Sequence, residues 1–253
     1  MKNTKDVTTE NSLMNVLAVG DYGSGKSTLF SSFPQKGFVF DFDNQIPVYR
    51  EGDWDYSQYP TSPKGWAQFE KDFIEVKIKQ KQGYYKTIIF DSATGMTALA
   101  MERALALDPK RSTTGGPLWN VHYQMVKNLM EGKIRQFISL PNCHHLLACH
   151  LKVTQDMETG NIISIDPNLT GQLINDVPAM FGEIYILRPK QKGGKTVYKL
   201  TTVTKGHLKA RSNLSGKMHL LPDEVNNDYE ALMSHLRKPK SGTEPNVKTK
   251  FSN

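Results

Sequence analysis

Eight consecutive residues, Gly20-Asp21-Tyr22-Gly23-Ser24-Gly25-Lys26-Ser27, fit the pattern G-x-x-x-x-G-K-[ST] at every fixed position. The chemistry this spacing permits is the cradling of a nucleoside triphosphate. Gly20, Gly23 and Gly25 let the backbone curl so that successive N–H groups face phosphate oxygens. Lys26 brings positive charge to the β and γ groups, and the Ser27 hydroxyl is a hard oxygen ligand of the kind Mg²⁺ prefers. Asp21, Tyr22, Ser24 and Thr28 complete the expected nucleotide-binding set.

A second acidic group is needed beside that loop. The apolar segment Lys86-Thr-Ile-Ile-Phe-Asp91 ends in one, and as a strand it carries Asp91 to the sheet edge, where Asp91 and Ser27 hold the metal. Asp41 and Asp43 end another apolar segment, Gly37 to Phe42. Alternate residues of a strand share a face, so the two carboxylates are expected on one side, with Asp43, nearer the end, as candidate base for the attacking water.

The elements that position these groups alternate along the chain. Leu13 to Val19 reads as a strand and Ser27 to Phe33 as the start of a helix, with the glycine loop between them. After the Gly37 to Phe42 strand, Asp53 to Pro63 reads as a loop rich in Tyr, Pro and Ser. Gly65 to Lys81 reads as a helix, apolar at Trp66, Phe69, Phe73, Val76 and Ile78. Lys86 to Phe90 is a strand, Ala93 to Leu107 a helix and Asp108 to Leu118 a linker. The helix Trp119 to Leu140, closed by Pro141, presents Met125, Leu129, Ile134, Phe137 and Ile138 to the core. His145 to Cys149 is a strand, and Leu151 to Ile165 a hairpin about Thr159-Gly160-Asn161. Gly171 to Phe181 follows as a helix, Glu183 to Leu187 and Thr196 to Thr204 as strands, and Tyr229 to Leu236 as a helix. Strands alternating with helices predict an α/β fold with a mostly parallel central sheet flanked by helices. A leader (1–12), one core (13–236) and a basic tail (237–253) are the expected divisions.

GDYGSGKST, FVFDFDN, TIIFDSATGM and HLLACHLK stand in the order of RecA-like ATPase cores, whose metal-holding aspartate is followed by Ser, as Asp91-Ser92 is here. More closely, Leu13 to Leu236 resembles the small RecA-like recombination ATPases of bacteriophages, a nucleotide-binding, AAA-type group associated with single-strand annealing. Trp119, Pro167-Asn-Leu-Thr-Gly171 and Lys209-Ala-Arg211 support the likeness. The resemblance implies a RecA-like P-loop core, ATP and Mg²⁺ as cofactors, and His150 as the polar strand-end residue that senses the γ-phosphate. It further implies that Lys205, Lys209 and Arg211 reach a neighbour's nucleotide in a homo-oligomer. Asp43 stands where RecA proper has the longer Glu. A single-strand-binding or annealing protein of the same phage is the implied protein partner.

The 253 residues carry a formal net charge of +7, which favours an anionic partner. Residues 237–253 hold Arg237, Lys238, Lys240, Lys248 and Lys250 against Glu244 alone, a net of +4, in a composition expected to be disordered. From Ile186 to Lys217 the chain carries Arg188, Lys190, Lys192, Lys195, Lys199, Lys205, Lys209, Arg211 and Lys217 and no acid. Arg188, Lys190, Lys192 and Lys195, with Lys152 on the hairpin, are the candidate contacts to single-stranded DNA, through its backbone rather than its sequence. Aromatic residues are sparse in that run, with Tyr198 alone inside it.

The two cysteines rule out a disulfide framework and suit a reducing cytoplasm, and the longest apolar stretches are too short to span a membrane. Cys143-His-His145 and Cys149-His150 imitate a metal cluster, but residues strung along one strand do not converge on one ion. The reading reached is an Mg²⁺-dependent ATPase that binds single-stranded DNA in phage recombination or annealing. A helicase-like or loading ATPase and a nucleotide-dependent protein switch are the alternatives.

Overall fold

The computed structural model describes residues 13–214 and 220–237; the leader, Lys217 and the tail from Lys238 onward lie outside them. Ten strands, β1 (Asn15–Gly20), β2 (Gly37–Asp41), β3 (Trp54–Gln58), β4 (Thr87–Asp91), β5 (His144–Gln155), β6 (Ile162–Pro167), β7 (Glu183–Lys192), β8 (Lys195–Thr201), β9 (Arg211–Ser212) and β10 (Glu224–Asn226), alternate with six helices. These are α1 (Lys26–Ser31), α2 (Pro63–Lys81), α3 (Ala93–Leu107), α4 (His122–Ile138), α5 (Leu173–Ala179) and α6 (Tyr229–Arg237). The main sheet runs β10-β8-β7-β1-β5-β4-β2-β3, with β6 pairing β5 and β9 pairing β7. From β7 across to β3 every pairing is parallel, while β7–β8 and β8–β10 are antiparallel.

Parallel strands inside a sheet are covered on both faces, and the central strands here are accordingly buried and largely apolar. β4 (TIIFD) and the first half of β5 (HHLLAC) are wholly buried. One layer, with Phe40, Phe69, Phe90 and Phe137 at its centre, lies under α2, α3, α4 and α5; the Phe90 and Phe137 rings stack at 4.1 Å. The other packs α1 and α6 against Val16, Ala18, Leu146, Tyr185 and Leu200. One strand, β5, separates the glycine-loop strand β1 from the Asp91 strand β4, and the registers Gly20↔His150 and Asp41↔Asp91 bring the strand ends to one edge. This is the α/β fold, with a mostly parallel central sheet flanked by helices, that the sequence predicts. Among the described residues no helix is long and apolar enough to cross a membrane.

Several expectations are corrected. Within the Asp53 to Pro63 loop, Trp54–Gln58 forms the edge strand β3, paired with β2 on one side only. Ile78 of α2 is exposed, and the inward position one turn beyond Val76 is Gln80, whose amide donates to the carbonyls of Tyr85 (3.1 Å) and Pro141 (2.8 Å). In α4 the fully buried positions are His122, Val126, Met130, Ile134 and Phe137, so Met125, Leu129 and Ile138 only flank the core. The helix also starts at His122, leaving Trp119 before it. The expected hairpin is present as β5–β6.

Candidate functional site

β1 delivers the chain to Gly20, and the loop then turns at Gly23 (φ 67°) and Gly25 (φ 92°), left-handed conformations that favour glycine, before α1 begins at Lys26. The Lys26 ammonium donates to the carbonyls of Gly20 and Asp21, each at 2.9 Å. Burial lowers the pKa of this amine, opposed by the charges of Asp91, Asp43 and Asp21.

α1 aims the Ser27 hydroxyl at Asp91, and it donates to Oδ2 at 2.7 Å. A second hydroxyl, of Tyr49 on a single 3₁₀ turn (Ile46–Tyr49), donates to the same oxygen at 2.8 Å. Burial raises the Asp91 carboxyl and these two donors work against that rise. The Tyr49 phenol is pushed well above its ordinary range by burial and by Asp91, so it remains a donor.

Asp43 lies just beyond β2. Its Oδ2 accepts from Ser92 Oγ at 2.6 Å and lies 3.2 Å from His150 Nε2. Ser92 is also the cap of α3, accepting from the Gly95 N–H at 3.3 Å. A side chain at Gly95 would collide with the Asp43 carboxylate, so the glycine permits this approach. Burial favours protonation of Asp43, but the bonds to His150 and Ser92 and the charge of Lys26 outweigh it and hold the carboxyl below its usual value. The His150 ring lies against Tyr22, with centroids 4.4 Å apart and planes tilted by 36°, and its Nδ1 is buried without a partner among the described residues.

Asp41 does not share this site. Its carboxylate accepts from the N–H groups of Asp43 (3.2 Å), Gln45 (2.9 Å) and Ile46 (3.1 Å) and from the Gln58 amide (2.8 Å). The strand ends at Asp41, so period-two facing does not extend to Asp43, and Asp41 instead pins the turn that carries Tyr49.

Tyr22 to Thr28, Asp43, Asp91 and His150 line a cleft of about 600 Å³. It therefore contains the expected residues from Tyr22 onward, while Gly20 and Asp21 do not line it and meet it only through their carbonyls, which accept from Lys26. The Ser27 and Asp91 oxygens converge as a hard donor pair, which fits Mg²⁺, and Lys26 lies within the same cleft, where a phosphate would draw it off its backbone carbonyls. Sequence reasoning missed Tyr49, which nothing local marks. It also missed Asn227, whose amide donates to the Gly25 carbonyl at 2.8 Å, steadying the loop from a region two hundred residues away. A separate cleft of about 340 Å³, between β7 and the β5–β6 hairpin, is mostly apolar, with Asp166, Lys209 and Arg211 as its charged lining.

The remaining candidates lie elsewhere. Lys205 pairs with Asp223 (3.0 Å), Lys209 with Asp166 (3.4 Å), and Arg211 donates to the carbonyls of Phe181 and Pro178 at the end of α5. None lines the phosphate cleft. Arg188, Lys190, Lys192, Lys195 and Lys199 share one face of the β7–β8 hairpin. That face is not unopposed, as the run alone suggests, because β10 brings Glu224 to Lys190 and Asn226 to Lys199. Lys152 sits across from Asp166 in the β5–β6 hairpin.

No curated protein matches the chain. Among solved structures, a KaiC-like protein from the hyperthermophilic archaeon Pyrococcus horikoshii OT3 aligns over 74% of this chain and 77% of its own, at 11% identity and a TM-score of 0.41. A family model described as an AAA domain matches residues 13–212. With most of the chain covered and its phosphate loop, Mg²⁺ donor pair and strand-end carboxylates assembled in one cleft, the protein belongs to this AAA-domain family of P-loop ATPases.

Proposed function

We propose that the protein hydrolyses ATP with Mg²⁺ and couples hydrolysis to single-stranded DNA, as an oligomer serving phage recombination or annealing. The observation that carries the hydrolytic part is the convergence of Lys26, Ser27, Asp91, Asp43 and His150 on one cleft. On nucleotide binding, the Lys26 ammonium exchanges its two carbonyl partners for β- and γ-phosphate oxygens. Ser27 and Asp91 would hold Mg²⁺, which would supply positive charge to offset that of the phosphates. Asp43, kept ionised by Ser92 and His150, orients the attacking water and accepts its proton as the water oxygen bonds to the γ-phosphorus and ADP leaves. His150 fixes the Asp43 carboxylate and carries the state of the γ-phosphate into β5.

The DNA part is supported by the hairpin face on which Arg188, Lys192 and Lys195 make no ion pair among the described residues. Lys205, Lys209 and Arg211, away from their own cleft, are free to serve a neighbour's only if their present partners release them. The test is the ATPase rate with and without single-stranded oligonucleotide, at low and high salt. A rate raised by the oligonucleotide, with binding that falls linearly in log–log against salt, is expected. Hydrolysis with no oligonucleotide response and no binding at low salt overturns the DNA reading and leaves a nucleotide switch.

A further inference from the structure

The chain has three tryptophans. Trp66 is buried and Trp54 half-buried, whereas Trp119 is 69% exposed. It lies just before α4, and Tyr123, one turn later, sets its ring beside it with centroids 4.7 Å apart and planes tilted by 39°. Leaving the Trp119 ring in water beside the half-buried Tyr123 forfeits the burial that usually places an indole inside.

Their surroundings indicate what covers them. The rings line a cleft of about 280 Å³ whose other side chains include the amides of Asn120, Gln124 and Gln172 and the ammonium of Lys127. No Leu, Ile, Val, Met or Phe lines it. A protein anchor residue seeks an aliphatic pocket, whereas an unpaired nucleobase seeks a π face, hydrogen-bonding groups at its edge and a cation for its phosphate. Lys127 also bonds Gln172 and pairs with Asp176 at 3.4 Å, which fixes the far wall to α4.

That wall leads back to the phosphate cleft. Gln172 is four residues beyond Asn168, whose N–H donates to the His150 carbonyl at 2.7 Å. Thr94 Oγ1 joins the same junction, accepting from the His150 N–H at 3.1 Å and donating to the Asn168 carbonyl at 3.3 Å. The residue that holds Asp43 thus lies one hydrogen bond and a short segment from the aromatic pair.

We propose that Trp119 and Tyr123 form a stacking platform for the bases of a single strand, with Lys127 and the flanking amides beside it, in a cleft whose wall moves with His150. This rests on the single-stranded DNA reading above and adds the site at which bases, as distinct from phosphates, are held. The basic β7–β8 face meets the backbone alone, and the platform makes binding depend on the presence of bases.

The experiment measures binding of a labelled oligo(dT) and of an abasic strand of equal length by anisotropy, for the full chain and for Trp119→Ala and Trp119→Phe. Trp119→Ala should weaken oligo(dT) binding about tenfold, the scale of one stacked base. Trp119→Phe should recover most of the loss, and the abasic strand should bind the full chain and Trp119→Ala within about twofold of each other. Equal oligo(dT) binding by the full chain and Trp119→Ala overturns the platform. So does a change in sedimentation on Trp119→Ala with DNA binding intact, which assigns the face to self-association. Should Trp119→Ala fail to fold, Tyr123→Ala reads the same platform. A full chain that binds neither strand at low salt overturns the DNA reading itself, a failure separable from that of the platform alone.

Discussion

The two edges of the parallel sheet both bury polar side chains, and they treat them in opposite ways. At the edge where the strands begin, His144 Nδ1 accepts from the Met14 N–H (3.1 Å), His145 Nδ1 meets Asn15 Oδ1 (2.7 Å), and Cys143 Sγ lies 3.3 Å from His145 Nε2. Burial, with no carboxylate beside them, pushes both imidazoles down to about 4 and the Cys143 thiol up to about 12. All three are neutral near pH 7. At the edge where the strands end, burial acts on Lys26 and Asp43 too, yet each faces an opposite charge and hydrogen-bond donors or acceptors that keep Asp43 ionised. Three histidines of one strand, β5, therefore serve two purposes: His144 and His145 pack, and His150 holds a carboxylate. A buried titratable group becomes chemical machinery when the fold supplies its counter-charge, not through burial itself.

The largest effect expected from that contrast is at the ending edge. Lys26→Ala removes the ammonium that the cleft holds beside the phosphate loop, and steady-state hydrolysis should fall on the order of 10³-fold or more, because little but electrostatic positioning is available for phosphoryl transfer. A rate within tenfold of the parent chain would show that the cleft is not the hydrolytic site.

The beginning edge should reveal itself through stability rather than rate. An unfolded histidine titrates near 6.5, while His144 and His145 in the fold titrate at about 4. Between those values the unfolded chain binds protons that the folded chain refuses, so stability is full above about pH 6.5 and is lost as pH falls. Two such groups cost about 3 kcal/mol at pH 5.5 relative to pH 7.5, at about 1.4 kcal/mol per group for each pH unit. Denaturant midpoints at the two pH values measure it. An unchanged midpoint would mean the imidazoles accept protons in place and that the two edges do not differ.

What could be read in advance divides along similar lines. The phosphate loop, the Asp91 strand and the β5–β6 hairpin are legible because each is set by residues adjacent in the chain. β3 was hidden by its polarity: Trp-Asp-Tyr-Ser-Gln pairs on one side only, and an edge strand needs no apolar run. Gln80 was hidden because a buried amide is indistinguishable from a surface one until its partners, the carbonyls of Tyr85 and Pro141, are known. The basic run looked unopposed because Glu224, Asp223 and Asp166, which meet Lys190, Lys205 and Lys209, come from other segments. Charge balance belongs to the fold, whereas a glycine loop belongs to eight residues.

Tyr49 is the smallest test and the one that separates packing from machinery most finely, since the same ring does both. Its ring packs edge-on against Trp54 with centroids 5.6 Å apart, as a core residue would, while its hydroxyl donates to Asp91 Oδ2 beside the Ser27 hydroxyl. Tyr49→Phe keeps the ring and deletes that donor alone. One hydrogen bond to a charged group contributes about 1.5 kcal/mol, so the expected change is about tenfold. It should appear in the Mg²⁺ concentration that supports half-maximal hydrolysis, because Asp91 without the donor is less well aimed at the metal and more readily protonated. If the Mg²⁺ requirement is unmoved while the melting temperature falls, the hydroxyl belongs with His144 and His145 as satisfied interior polarity. If the requirement rises with the melting temperature nearly unchanged, the ending edge extends one residue further than its motifs, to a tyrosine held in place by the turn that Asp41 pins.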